Sequence, residues 1–167
     1  MADELRLAFY KGKGTWVDQM IRWGTRSPYS HVELVQMGMD MPNGVHRAWA
    51  ISSSWRDGGV RAKVIDFEPD RWDWIELRPW YPAHLWDNAH RHFGAKYDLV
   101  GIALSQIVAL RRHDPDRWFC SEFIGMLLGY DRSHALAPGD LATRVAEMNF
   151  AFQEGRSRQI DLAGGFV

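Results

Sequence analysis

The chain has a single cysteine, Cys120, so no disulfide can staple it internally. Its fold must come from packing, and 167 residues suffice to bury a core that way. It also lacks an excess of either charge. Twenty basic residues stand against 21 acidic ones, and no basic stripe or like-charged tail offers nucleic acid a footprint. No apolar run reaches the roughly 18 residues that a transmembrane segment needs. The N-terminus carries strand-like Leu5 to Tyr10 rather than a basic region, apolar stretch and cleavage site, which predicts no signal peptide. A lone thiol without an export signal predicts a reducing, cytoplasmic setting, with carriage in a particle as the alternative. There are seven histidines, but His84, His90 and His92 fall on different sides of a helix with no cysteine cluster beside them. No metal or other cofactor is expected.

Nine tryptophans are the most unusual excess, six of them between Trp49 and Trp86. Core and half-exposed packing is the favoured reading, ahead of a docking groove. Leu5 to Tyr10 is a first strand, closed by the Gly12/Gly14 turn. Thr15 and Asp18 resemble a capping pair for a short helix carrying Trp16, Met20, Ile21 and Trp23. Pro28 marks a loop. A hairpin follows, His31 to about Met37 and Val45 to about Ser52, with Pro42 and Asn43 in its turn. Two further strands are predicted after Asp57-Gly58-Gly59 and at Trp72 to Leu77, before Pro79 and Pro82.

From there the pattern turns helical. Predicted helices run from Leu85 to a stop at Gly94, from an Asp98 cap to Leu110, from Cys120 to Gly129, and over Leu141 to Phe152. Residues 1–154 form one domain, and 155–167 a polar, Gly-rich tail. Strands first and helices later predict an α+β fold, an antiparallel sheet packed against helices.

Two residues in this order carry chemistry. Cys120 opens its helix, where unpaired N–H groups and the helix dipole favour a thiolate. His31 opens its strand, and an imidazole beside that sulfur would complete a Cys–His pair for acyl transfer. The plain alternatives are a small buried thiol and a surface histidine. Phe123, Ile124, Leu127 and Leu128 already explain how the cysteine helix packs, which leaves its first turn for other work. Glu122 reads more readily as a helix-start partner than as a chemical group.

A third group would orient the imidazole. With the hairpin turn centred near Met41 and Pro42, facing residues have numbers summing to about 83, which sets Ser52 opposite His31. Ser53 or Ser54 takes that place if a bulge shifts the register. Glu33 is chemically stronger but lies about 6.6 Å along the same strand, within reach only by a favourable rotamer or through water. His46, roughly 20 Å along the hairpin, is set aside. The Cys120 N–H, with Tyr29, Ser30 or Tyr97, would meet an oxyanion.

The runs Ser30-His31-Val32-Glu33-Leu34-Val35, Asp57-Gly58-Gly59-Val60-Arg61, Tyr97-Asp98-Leu99-Val100-Gly101 and Phe119-Cys120-Ser121-Glu122-Phe123 resemble a circularly permuted papain-like domain. More narrowly, they are similar to the permuted branch of the NlpC/P60 superfamily, over about residues 5 to 145. The resemblance implies a cysteine peptidase or amidase-like hydrolase, or an acyltransferase, with Cys120 as nucleophile and His31 as base. It implies a peptide, peptidoglycan or lipid-like acyl substrate. A catalytically weak binding domain in a phage virion or cell-wall assembly, reaching the periplasm if phage-encoded, is the alternative. The chain departs from the family pattern at the third position, which often carries His, Glu, Asn or Gln. Here the return strand offers Ser52 or Ser53.

Overall fold

Alternating side chains assign the first strands to two faces. In β1 (Leu5–Tyr10), Leu7 and Phe9 join Val32 and Leu34 of β2 (His31–Gln36) in one core, while Ala8 and Val35 enter another. A computed structural model of the chain describes residues 5–36, 38–42, 44–78, 81, 84–97 and 117–163. The remaining strands are β3 (Met39–Asp40), β4 (His46–Ser54), β5 (Gly59–Phe67), β6 (Trp72–Glu76), β7 (Lys96–Tyr97) and β8 (Arg117–Trp118). Among the described residues they form one sheet in the order β6-β1-β2-β4-β5-β7-β8, with β3 on β4. Every pairing is antiparallel except β7 with β8.

The helices are α1 (Trp16–Thr25), α2 (Leu85–His90), α3 (Cys120–Leu127) and α4 (Pro138–Ala163). In α1, Asp18 Oδ2 accepts the Thr15 N–H at 2.7 Å and the Thr15 hydroxyl at 2.8 Å, so the predicted capping pair forms. Helix α3 lays Phe123 and Ile124, both fully buried, against Val32 and Leu34. Each such side chain contributes about 1.5–3 kcal/mol of burial. On the other face the sheet curls. Trp72 and Trp74 of edge strand β6 reach Phe67 of β5, with ring centroids 4.9 Å apart in both pairs, and close a smaller core over Ala8, Val35, Ala48 and Ala50. The architecture is thus a mixed domain, an antiparallel sheet packed against helices.

Several expectations change. The hairpin pairs Leu34 with Ile51 and Val35 with Ala50, so facing numbers sum to 85, two more than the expected register. The turn sits further along the chain, closed by the Met41 N–H on Val45 O and the Gly44 N–H on Met41 O. Between Val35↔Ala50 and Met39↔Arg47 one strand holds an extra residue, a bulge near Gly38. A Cβ at Gly38 would run into Arg47 O, so only glycine lets the strands meet there. Helix α2 ends at His90 and the chain reaches Gly94 through turns. Helix α4 continues through Gly155 to Ala163, so its backbone crosses the expected start of the tail. The helix expected from Asp98 to Leu110 lies outside the described residues, as do Asn43, Pro79 and Pro82.

Candidate active site

Cys120 and His31 are each the first residue of their element, and the fold brings those two ends together. Helix α3 begins at Cys120, and the Glu122 carboxylate accepts the Phe119 N–H at 3.4 Å, the helix-start role expected of it. Ser53 helps to hold this start in place, its hydroxyl donating to Trp118 O at 2.6 Å from the sheet. Ser121 donates to Leu136 O and ties the first turn to the segment before α4. The Cys120 side chain lies close enough to the His31 imidazole to act on the proton affinity of that ring. The sulfur-bearing side chain has 0% exposure, whereas the imidazole keeps 17%.

The far side of the ring is held by a carboxylate. His31 Nε2 and Glu33 Oε1 are 2.8 Å apart, which leaves Nδ1 for the sulfur. Glu33 is buried, and Arg61 of β5 grips it with two bonds, at 2.7 Å to Oε2 and 2.6 Å to Oε1. Arg61 Nε also donates to Asp57 Oδ2 at 2.7 Å, and Lys63 reaches the same oxygen at 2.7 Å. Charge therefore alternates from the imidazole through Glu33, Arg61 and Asp57 to Lys63.

Burial alone would lower the affinity of His31 for its proton. The Cys120 side chain and the Glu33 carboxylate outweigh it, and the imidazole is pushed up to about 9. Burial would raise Glu33, but the Arg61 bonds and the His31 charge hold it at about 2. Burial likewise acts against Asp57, whose bonds from Lys63 and Arg61 keep it well below the usual carboxylate range.

Ser52 does not take the place expected of it. The register is shifted by two residues, and the Ser52 hydroxyl donates to Val32 O at 2.6 Å rather than meeting the His31 ring. The Glu33 carboxylate reaches the ring directly, without a bridging water, because neighbours two apart share a strand face. Tyr29 donates to Asp73 at 2.9 Å, and burial with that carboxylate pushes its hydroxyl up to about 12. Its proton is thus given to Asp73. Ser30 donates to Asp18 at 3.1 Å, and Tyr97 is buried with its ring edge-on to Phe119. Arg61 and Asp57 were missed as site residues. The alternation of Val60, Ala62 and Val64 with Arg61 and Lys63 puts both cations on one face, but only the order β2-β4-β5 carries Arg61 to Glu33.

His31 opens on a cleft of ≈ 160 Å³ at one end of the curled sheet. Tyr10, Trp55, Trp72 and Tyr97 supply aromatic walls, and Asp18 and Arg56, paired at 2.8 Å, also line it. His92 is occupied in packing, edge-on to Trp118 and Phe123. Among the described residues no group of three or more His, Cys, Asp or Glu side chains could hold a metal ion. Nor is any helix among them long and apolar enough to cross a membrane. Comparison of the chain with family models, curated proteins and solved structures gave no match.

Proposed function

We propose that the protein is a thiol-dependent hydrolase that cleaves an amide or ester through an acyl-enzyme on Cys120. One observation carries the reading: the imidazole whose proton affinity the Cys120 side chain raises also meets a buried carboxylate at 2.8 Å. That is the arrangement a nucleophile, base and orienting group require. The sulfur attacks the carbonyl carbon, and the oxyanion forms beside the Cys120 N–H at the start of α3. His31, protonated, gives its proton to the departing amine or alcohol as the carbon–heteroatom bond breaks. His31 then takes a proton from water, the hydroxide attacks the thioester, and the carboxylic acid leaves as the sulfur is restored. Glu33 holds the ring and stabilises its charged form, and Arg61 positions Glu33.

The resemblance to permuted NlpC/P60 domains favours peptide or peptidoglycan amides as first substrates, with lipid-like esters next. Peptidoglycan fragments and activated aryl esters should be turned over, and Cys120→Ser should abolish the reaction. Iodoacetamide should label native Cys120 faster than the unfolded chain, with the rate falling in His31→Ala. Equal labelling rates in both folded proteins would refute the mechanism.

The complete burial of Cys120 favours a second reading, a binding domain of this architecture without turnover, in a cell-wall or virion assembly. Native Cys120 that resists small electrophiles while the unfolded chain reacts would select it.

A further inference from the structure

Helix α1 is apolar on two sides. Val17 and Ile21 are buried toward the core, whereas Trp16 is 69% exposed, Met20 51% and Trp23 85%. The three exposed side chains fall at i, i+4 and i+7, within about 60° of the helix circumference. Scattered exposed apolar residues need no explanation, but two tryptophans and a methionine on one short face form a contiguous exposed apolar patch.

The charges beside this face decide what it fits. Lys13 and Arg26 are exposed at its two ends, and among the described residues neither is paired with a carboxylate. Arg22 bonds the carbonyls of Gly12 and Lys13, the second at 2.8 Å, which pins the Lys13 loop against the helix. The one acid of α1, Asp18, is buried on the opposite side and bonded to Thr15, Ser30 and Arg56. Exposed tryptophans flanked by unpaired cations complement an anionic lipid surface, where indole rings settle at the headgroup level.

We infer that the outer face of α1 docks the protein on an anionic bilayer surface through Trp16, Met20 and Trp23, with Lys13 and Arg26 contacting the headgroups. The inner side of the same helix lends Asp18 and Ile21 to the His31 cleft, so docking would bring that cleft within about one helix diameter, roughly 10 Å, of the lipid. The inference stands apart from the chemistry of Cys120.

Vesicle flotation tests it, using the full chain with phosphatidylcholine alone or mixed with phosphatidylglycerol. The protein should float with the mixed vesicles only and be released by salt. Lys13→Glu and Arg26→Glu should each weaken binding by about fivefold or more. The double variant Trp16→Ala/Trp23→Ala should stay unbound while keeping the wild-type melting temperature, and Cys120→Ser should float like the wild type. Failure of the wild type to float with anionic vesicles would overturn the inference, as would flotation unchanged in the double variant. So would a wild-type dimer in solution that the double variant dissolves, which would assign the face to a second copy of the chain. None of these outcomes bears on turnover at Cys120.

Discussion

Glu33 and His31, two residues apart on one strand, meet directly through Oε1 and Nε2 at 2.8 Å. The contact fixes which ring nitrogen is left for the sulfur. Burial opposes the protonated ring, and the contact adds to the larger effect of Cys120 in raising the imidazole. Glu33→Gln removes the charge and keeps the shape. The His31 pKa should then fall from about 9 toward 6.5, and the alkaline limb of Cys120 alkylation should move down with it. A fall of one unit would already be about tenfold in the protonation equilibrium. NMR titration of the imidazole carbon-bound protons checks it, and an unchanged value would deny Glu33 the orienting role.

Arg61 is the only cation bonded to Glu33 besides His31 among the described residues. Arg61→Ala leaves a buried carboxylate without its bidentate partner, a loss of about 3–5 kcal/mol. For a chain of this length the melting temperature should fall by roughly 10 °C. Arg61→Lys retains the charge but not the planar fork, and should recover only part of that stability. Thermal unfolding of the two variants should rank them in that order.

The same contacts set the pH dependence of stability. The folded pKa of His31, about 9, lies above its reference of 6.5, so its contribution is whole below about 6.5 and lost as pH rises through 9. Glu33 is held at about 2, below its reference of 4.5, so its contribution is whole above about 4.5 and lost as pH falls through 2. Stability from this pair should be greatest between those references. Chemical denaturation against pH should show an alkaline decline that His31→Ala lacks.

The two serines should separate stability from reactivity. Ser52→Ala removes a bond to Val32 O, and should lower stability by about 1 kcal/mol while leaving the His31 titration in place. Ser53→Ala removes the link to Trp118 O just before Cys120. It should lower stability by about 1 kcal/mol and slow Cys120 labelling as the start of α3 loosens. A His31 titration displaced by Ser52→Ala would return the orienting role to the hydroxyl.

Local pattern made much of this legible. Alternation marked β1 and β2, Thr15 with Asp18 marked the start of α1, and the spacing of Phe123, Ile124, Leu127 and Leu128 marked α3. The expectation of a strand histidine beside a helix-start cysteine rested on their positions at element ends. The orienting residue did not follow. The turn falls later in the chain than expected, and one extra residue near Gly38 then changes the register by one residue; that bulge depends on how closely Gly38 approaches Arg47 O across the strands.

By itself the sequence determined which side chains share a face, because strand and helix periods are properties of neighbouring residues. It therefore placed His31 with Glu33 and set Cys120 at a helix start. Only the tertiary structure decided that Glu33 meets the ring, that Ser52 turns to Val32 O, and that Arg61 arrives from β5. Those outcomes depend on register and strand order, which are set by contacts between segments far apart in the chain, and no local period encodes them.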